Sequence, residues 1–413
     1  MDLVSVRLAE APSDPRKARL VAEVAYDDRP GRPESWWIEV PAEHAGALSV
    51  SGTPWLAAML PLAATLGQPL RLRVPADATL LAGARRILAT WAEWYRERFP
   101  EIREVPVEAD ALPAAPAAAS RREVAGFFSG GVDSFYMATA NEDPERAGGL
   151  PRIDRLLTVW GFDVPLDAPE EFARLRSSLA RAAGELGRTH LDAATNLRET
   201  RFAQARWGNV AHGCALAAVG LALEPMFEAL CIAGTHYDGP VKPWGSNPET
   251  DALLSTSSTR VFHHACGVAR REKTEWLTRS ATALRHLHVC YKTRTAENCG
   301  DCHKCYLTML TLELAGAGER LETFPRRADL ARVARMYIKS NAYTRLYRDL
   351  AERAHAVGRP DVARAIRRSL ERSAWLTRGL AAVDWLAARR GLWRVARAVR
   401  PRLLATALVR EKG

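Results

Sequence analysis

The sequence predicts an α/β protein with a doubly wound parallel sheet, an N-terminal α/β domain and a C-terminal helical region. After residue 120, short apolar runs of strand length alternate with longer helical segments, which is typical of a parallel sheet covered on both faces. Before residue 110, alternating strand patterns precede a single long helix. After Pro325 the chain is helical and rich in arginine. With 413 residues, the chain is long enough for two or three domains.

Residues 1–110 are predicted to form a separate α/β domain, and the Ala/Pro-rich residues 111–120 a linker. Asp77 is a good N-cap for a helix that Pro100 ends, and the tryptophans of this region are interpreted as core residues. The uncharged stretch Ala45–Leu70 contains prolines and glycines, which favours a buried helix over a membrane span. The predicted strands are Leu3–Leu8, Leu20–Tyr26, Trp36–Val40 and Leu70–Val74.

Residues 121–325 carry the alternating pattern of a parallel sheet. Ligands of such sheets bind beyond the carboxyl ends of the strands. This rule predicts one pocket between residues 129–134, 160–163 and 235–238. The predicted strands are Val124–Phe128, Leu156–Trp160, Thr189–Leu191, Leu230–Thr235 and Arg260–His263, and the predicted helices are Pro169–Leu186 and Arg201–Leu223.

A glycine-rich turn connects the first of these strands to a helix, with the sequence Ser129-Gly130-Gly131-Val132-Asp133-Ser134. Adjacent glycines let the backbone approach an anion, and the amides of the turn and the helix start point at bound oxygens. Ser129 and Ser134 add hydroxyl donors, and Asp133 can hold Mg²⁺. The chain contains no G-x-x-x-x-G-K-[ST] string. The alternative is an ordinary serine-glycine turn, but the full hexapeptide at this junction favours phosphate binding.

The hexapeptide resembles the S-G-G-x-D-S loop of the PP-loop ATP pyrophosphatases, which include GMP synthetase, asparagine synthetase, tRNA thiolases and 7-cyano-7-deazaguanine synthase. The resemblance implies an adenine nucleotide α-hydrolase-like fold that binds ATP and Mg²⁺ and releases pyrophosphate. It places the pyrophosphate on Ser129–Ser134 and the adenine against Thr158, Trp160 and Gly161. It also implies catalytic roles for Asp133 and for Lys273, which would offset charge on the leaving pyrophosphate. A solvated helix face is the alternative interpretation of Lys273.

The loop after the fourth strand, residues 236–251, is long, rich in proline and rich in hydrogen-bonding groups. Such a loop at the mouth of a pocket suits recognition of a second substrate, and a structural Ω-loop is the alternative. His212, His263 and His264 are interpreted as core residues rather than ligands. The candidate substrate residues are Asp238, Lys242, Ser246, Asn247 and Asp251.

Four cysteines follow the pattern Cys290-x8-Cys299-x2-Cys302-x2-Cys305 within the segment 290–305. Four thiolates at these spacings can bind one tetrahedral ion, with Zn²⁺ expected and an iron–sulfur cluster as the alternative. Four protein ligands leave no open position, which indicates a structural site. The pattern looks like the zinc segment of 7-cyano-7-deazaguanine synthase. This resemblance spans about residues 124–315, and the loop around Trp244 departs from it.

The resemblance implies a synthetase that adenylates a carboxylate, small or carrier-borne, and passes it to a nitrogen donor to form an amide or nitrile. A tRNA- or RNA-modifying PP-loop enzyme and a non-catalytic ATP-binding module are the alternatives. Cys214 and Cys231 lie in apolar runs and are interpreted as inert core thiols, which disfavours sulfur transfer.

The net charge of +10 is unevenly distributed. Residues 326–413 contain 22 Lys and Arg against 7 Asp and Glu, so the C-terminal region is strongly basic. Its helices could bind a membrane surface or nucleic acid, but a packed helix with a charged outer face is favoured, so RNA is not the preferred partner. The clustered cysteines, and the mixed charges of Met1–Glu10, predict a cytoplasmic protein without a transmembrane span.

Overall fold

The computed structural model describes residues 1–12, 14–113, 121–235, 243–290 and 295–390. The chain forms two compact units, Met1–Ala269 and Arg270–Gly413. Among the described residues, no helix combines the length and the apolar character that crossing a membrane requires.

The first unit contains one mixed sheet, with its strands in the order β10-β9-β6-β7-β8-β3-β2-β1-β4-β5. The sheet confirms the α/β class, and the predicted strand positions agree with the observed ones. The strands are β1 (Asp2–Glu10), β2 (Lys17–Tyr26), β3 (Arg29–Pro41), β4 (Leu70–Leu72), β5 (Val107–Glu108), β6 (Glu123–Phe127), β7 (Arg155–Trp160), β8 (Thr189–Thr195), β9 (Phe227–Ala233) and β10 (Arg260–His264).

Strands β6 to β10 are all parallel to their neighbours within this group. Their order places the first strand, β6, in the middle, with β7 and β8 on one side and β9 and β10 on the other. This is the strand order of a doubly wound sheet, in which the order reverses between β6 and β9. The helices that connect these strands are α3 (Val132–Ala140), α4 (Pro169–Glu185), α5 (His212–Leu221) and α6 (Pro248–Asp251).

The two faces of the parallel strands are covered by different helices. Ala125 and Phe127 of β6 belong to a core that also contains residues of α5. Phe128, whose side chain points to the opposite face, packs edge-on against Phe135 of α3 with the ring centroids 4.8 Å apart. The chain therefore leaves β6 toward one face and reaches β9 from the other.

The N-terminal strands continue the same sheet. Strand β3 pairs antiparallel with β8 through Ile38 opposite Thr195 and Glu39 opposite Ala194. Side chains at the end of β8 strengthen this short pairing: Asn196 Oδ1 accepts from the Trp37 amide at 2.8 Å, and Thr195 Oγ1 donates to the Trp37 carbonyl at 2.8 Å. The compact units consequently divide at residue 269 rather than at the predicted linker 111–120, of which residues 114–120 lie outside the described residues.

Two N-terminal helices, α1 (Thr53–Leu66) and α2 (Ala78–Tyr95), pack into the core of the first unit. Every residue of α1 from Thr53 to Ala64 is buried, as expected for a core helix. Asp77 caps α2 by accepting a hydrogen bond from the Leu80 amide at 3.0 Å, which confirms the predicted N-cap. The predicted core tryptophans are buried, namely Trp36, Trp55 and Trp91.

The predicted helix over Arg201–Leu223 is wrong as one continuous element. The structure has a 3₁₀ turn at Arg201–Gln204, a π-helical turn at Trp207–Ala211, and only then α5. At the break, the Asn209 carbonyl accepts from the Tyr95 hydroxyl at 2.9 Å, and the Gly213 amide donates to the Gly245 carbonyl at 2.7 Å. These two groups would bond each other in an α-helix, so tertiary partners have replaced that bond.

The second unit is helical over its described residues, as the sequence predicts. In α12 one side is buried, including Val362, Ile366 and Leu376, and Ser373 Oγ accepts from the Ile338 amide at 2.8 Å. This agrees with the interpretation of a packed helix, while residues 391–413 lie outside the described part. The helices are α7 (Arg270–Trp276), α8 (Ala281–His286), α9 (His303–Leu314), α10 (Leu330–Val333), α11 (Asn341–Ala356) and α12 (Pro360–Arg390).

The packing of α2 on the end of the parallel region gives a test of the shared core. A Cβ at Gly83 would lie 2.0 Å from the Leu253 carbonyl oxygen. We expect Gly83→Ala to lower the free energy of unfolding by about 1–3 kcal/mol, because backbone must move to admit the methyl group. Gly46→Ala is the control, since nothing lies within 4 Å of its Cβ position. Equal denaturant midpoints for the two variants would contradict the close approach of α2 to residues 252–254.

Candidate functional site

The glycine-rich turn lies between β6 and α3, as the sequence predicts. Gly130 adopts a φ of +75°, a conformation that residues with a Cβ rarely adopt. Ser129 Oγ accepts a long hydrogen bond from the Gly131 amide at 3.4 Å, and Ser134 Oγ donates to the Gly131 carbonyl at 3.1 Å. Ser129 is exposed and Ser134 is buried. The turn thus presents one serine outward and uses the other to hold its own backbone.

Helix α3 starts directly behind this turn. Gly131 is its N-cap residue and has no side chain to cap the first-turn amides, and Asp133 lies in that first turn. Strand β6 is the central parallel strand, and β9 beside it is where the strand order reverses. The amides of a helix N-terminus and the crevice of a switch point therefore coincide at residues 129–134, which is an arrangement suited to an anionic ligand.

Thr158 on β7 braces the start of the turn. Its hydroxyl donates to the Phe128 carbonyl at 2.8 Å and lies 3.0 Å from His190 Nε2. Because the single hydroxyl hydrogen is directed at Phe128, His190 must carry its hydrogen on Nε2 and donate to Thr158. Burial lowers the pKa of His190 to about 4, so the imidazole is neutral near pH 7.

Trp160 and Gly161 lie at the carboxyl end of β7. A Cβ at Gly161 would meet the Thr195 carbonyl oxygen at 2.0 Å, and its φ is +101°, so the position requires glycine. The Trp160 ring stacks on Phe172 with the centroids 5.0 Å apart. It lines a cavity of about 630 Å³ whose lining includes no residue of the 129–134 turn. Contact of Thr158, Trp160 and Gly161 with adenine stays a prediction.

Three of the five candidate substrate residues form a buried hydrogen-bond network. Ser246 Oγ donates to Asp251 Oδ2 at 2.6 Å, and the Asn247 amide donates to Asp251 Oδ1 at 3.1 Å. Asn247 Oδ1 in turn caps α6 through the Glu249 amide at 2.9 Å. Their side chains therefore shape the loop from inside, while Asp238 and Lys242 lie outside the described residues.

His263, which the sequence led us to set aside, belongs to the same network. Its Nδ1 lies 2.8 Å from Asp251 Oδ2, and its side chain is 2% exposed. Its buried Nε2 has no hydrogen-bond partner among the described residues. The sequence signal was its position at the end of a predicted strand next to a polar loop. The pairing with Asp251 depends on how α6 packs, which the local sequence does not specify.

Lys273 lies on α7 in the second unit and is only 1% exposed. The alternative of a solvated helix face is therefore wrong. Burying a lysine is costly unless its charge is compensated, so a buried lysine on a short helix is uncommon. The structure describes it in a different compact unit from the 129–134 turn, and its catalytic role stays a prediction.

The four predicted metal ligands come together in the second unit. The Sγ atoms of Cys290, Cys299, Cys302 and Cys305 all lie within 4.8 Å of one another. The Cys302 and Cys305 sulfurs are 3.4 Å apart, and those of Cys299 and Cys305 are 3.9 Å apart. Four sulfurs about 2.3 Å from one tetrahedral ion lie about 3.8 Å from each other, so the cluster could hold a metal ion.

The backbone around the cluster is shaped for this arrangement. Gly300 has a φ of +63°, and the Asp301 amide donates to Cys299 Sγ at 3.3 Å. Asn298 accepts from the Val289 and Cys290 amides at 2.8 and 3.1 Å and donates to the Leu287 carbonyl at 2.8 Å. The segment that carries Cys290 is thus fixed to the turn that carries the other three ligands.

Electrostatics around the thiols also favours a cation. The hydrogen bond with Cys290 is the main cause that raises the pKa of Cys302 to about 12, and it raises the pKa of Cys305 as well. Thiols this close cannot all ionise without a positive charge between them. Cys214 and Cys231 differ, since burial alone raises their pKa values, as expected for inert core thiols.

Comparisons of the chain with protein-family models, with curated proteins and with solved structures find no match. Function is therefore inferred from the residues themselves. The first unit offers a helix N-terminus and a glycine turn at the switch point of a parallel sheet. The second unit offers a four-thiol cluster.

The neutral His190 predicts a dependence of stability on pH. The unfolded chain takes up a proton at this histidine near pH 6.5, and the folded protein does so only near pH 4. Stability should therefore fall as the pH drops through this window, by on the order of 3 kcal/mol. In His190→Gln an N–H donor for Thr158 remains but does not titrate. Denaturant unfolding at about pH 7 and pH 4.5 should show a smaller loss for the variant, and equal losses would contradict the buried neutral imidazole.

The cysteine cluster predicts that metal and stability are lost together. Cys302→Ser should release the bound ion and lower the free energy of unfolding by several kcal/mol, on the order of a structural metal site, because ligand binding and folding are coupled. Elemental analysis and thermal unfolding measure the two effects. Cys266→Ser, half-buried and outside the cluster, is the control and should keep both the ion and the stability. Wild-type protein without metal, with four titratable thiols in this segment, would end the assignment.

Proposed function

We propose that the protein is an ATP-dependent synthetase that adenylates a carboxylate, releases pyrophosphate and transfers the acyl group to a nitrogen nucleophile. The observation that carries the proposal is the position of the Ser129–Ser134 turn, which lies at the switch point of the parallel strands and at the uncapped N-terminus of α3. The resemblance of the hexapeptide to the PP-loop supplies the reaction class, including the adenine nucleotide α-hydrolase-like fold.

In this proposal the turn holds the pyrophosphate part of ATP. The backbone amides at the start of α3 donate to phosphate oxygens, with the exposed Ser129 hydroxyl as a further donor. Asp133 in the first turn holds Mg²⁺, which neutralises charge that the helix N-terminus alone does not balance. Thr158 keeps the turn in register with β7 through the Phe128 carbonyl.

The chemistry requires two displacement steps. A carboxylate oxygen attacks the α-phosphorus, and the bond from that phosphorus to the bridging oxygen of pyrophosphate breaks, so pyrophosphate leaves with the electron pair. The amine nitrogen then attacks the acyl carbon, the bond to the AMP oxygen breaks, and the nitrogen loses one proton to solvent or a base. Fixed donors at the first leaving group lower the barrier because they need no reorganisation. The product is an amide, or a nitrile after loss of water.

The cysteine cluster fits a structural Zn²⁺ better than an iron–sulfur cluster. In an iron–sulfur cluster each thiolate binds a different iron atom, which spreads the sulfurs apart, whereas these four lie within 4.8 Å of one another. Four protein ligands leave no position for water, so zinc would hold the 290–305 segment together and take no part in the reaction. The seven free cysteines suit a reducing compartment such as the cytoplasm.

The turn predicts the products of ATP cleavage. Chromatography should show AMP and pyrophosphate, and ATP–pyrophosphate exchange should depend on one carboxylate from a panel. Asp133→Asn should lower the exchange rate at least about 100-fold, because the metal ligand and its charge are lost. Asp110→Asn, an exposed carboxylate elsewhere in the same unit, should retain the rate. ADP and phosphate as the only products would overturn the proposal.

A further inference from the structure

Helix α12 has an exposed face opposite its buried side. At 100° per residue, these residues fall within a band about 100° wide along the helix. Over the 25 residues from Arg364 to Arg389, the band is about 38 Å long at 1.5 Å per residue. We call this band the α12 outer face; it contains Arg364, Arg367, Arg368, Glu371, Trp375, Arg378, Ala382, Trp385, Leu386 and Arg389.

The arginines of the α12 outer face form no ion pair among the described residues. Other arginines of the second unit do pair, with Arg353 to Glu275 at 2.8 Å, Arg359 to Glu313 at 2.9 Å and Arg332 to Asp301 at 2.8 Å. The outer face carries a single carboxylate, Glu371, against its arginines. It is therefore a line of uncompensated positive charge rather than a surface network of ion pairs.

Two large aromatic rings lie in the same band. Trp375 is 65% exposed and Trp385 is 56% exposed. The Arg389 guanidinium lies over the Trp385 ring, 4.5 Å from its centroid. Tryptophans are mostly buried in folded proteins, so two on one solvent face, with arginine between and beside them, need a partner that uses both charge and ring.

The arrangement distinguishes between anionic partners. A helix that lies on a membrane separates an apolar side, which enters the lipid, from a basic side. On the α12 outer face the two kinds of residue alternate along one line instead, with Trp375 between Arg368 and Arg378, and Trp385 between Arg378 and Arg389. Alternating arginine and tryptophan match a single nucleic-acid strand, whose phosphates and unstacked bases also alternate.

We infer that the α12 outer face binds single-stranded nucleic acid, with its arginines on phosphates and Trp375 and Trp385 as stacking platforms for bases. The sequence favoured a packed helix over an RNA-binding one, but the structure shows that packing uses one side of α12 and leaves the other side for a ligand. This function is independent of ATP binding in the first unit and does not rest on it.

Fluorescence anisotropy of a labelled single-stranded RNA oligonucleotide with the full-length protein tests the inference. Binding should weaken with salt, with a slope of log affinity against log salt of about −3 if four or five phosphates are contacted. A duplex of the same sequence should bind roughly tenfold more weakly at the same salt, because its bases are already stacked.

Substitutions separate the two kinds of contact. Trp375→Ala and Trp385→Ala should each weaken binding roughly tenfold with little change in the salt slope, whereas Trp375→Phe should retain most of the affinity because it keeps an aromatic face. Arg367→Gln with Arg378→Gln should reduce the slope by about 1. Arg96→Gln, an exposed arginine of the first unit, is the charge-matched control. Thermal unfolding should be unchanged in all variants, since every altered side chain is exposed.

Three results would overturn the inference. The first is no binding of single-stranded RNA or DNA at low salt. The second is binding that the α12 variants leave unchanged, which would place the nucleic acid elsewhere on the chain. The third is binding to vesicles with anionic lipids, accompanied by a shift of tryptophan fluorescence that Trp375→Ala removes, together with no affinity for oligonucleotides; this would identify the face as a membrane-surface site.

Discussion

Strands β6 and β9 are hydrogen-bonded neighbours, but the chain leaves them toward opposite faces of the sheet. After β6 it forms the glycine turn and α3, beside the face to which Phe128 points. After β9 it leads to α6, where Asp251 lies against His263. Diverging connections leave the carboxyl ends of the strands uncovered, and no side-chain change elsewhere can remove that crevice without changing the topology. The candidate phosphate site is a consequence of this constraint.

The crevice is rigid because polar groups inside its walls bond to one another. Thr158 connects the residue before the turn to β7 and to His190, and Asp251 connects α6 to β10. Buried hydrogen bonds of this kind are costly to leave unmade, so each fixes a backbone segment in one position. A site built on such segments holds its donors in place before a ligand arrives, which is the property that electrostatic stabilisation of a leaving group requires.

The second unit solves a different problem. Four thiols within 4.8 Å of one another gain stability only with a cation between them, so the segment 290–305 is coupled to metal binding. Helix α12 needs no ion, because its apolar side is buried and its basic side meets solvent. A helix has two sides, and packing one of them says nothing against a function for the other. The uncompensated arginines and exposed tryptophans give the outer side its proposed ligand.

The sequence by itself determined the strands and helices of the parallel region, the Asp77 cap and the four-cysteine cluster, because periodicity, capping and ligand spacing are local properties. It also determined that the 129–134 turn joins a strand to a helix. Only the tertiary structure decided that the N-terminal strands continue the sheet through β8, and that the helix predicted at 201–223 is broken. Only the tertiary structure paired His263 with Asp251. Each of these depends on hydrogen bonds between residues distant in the chain, and no local pattern specifies which donor will meet which acceptor.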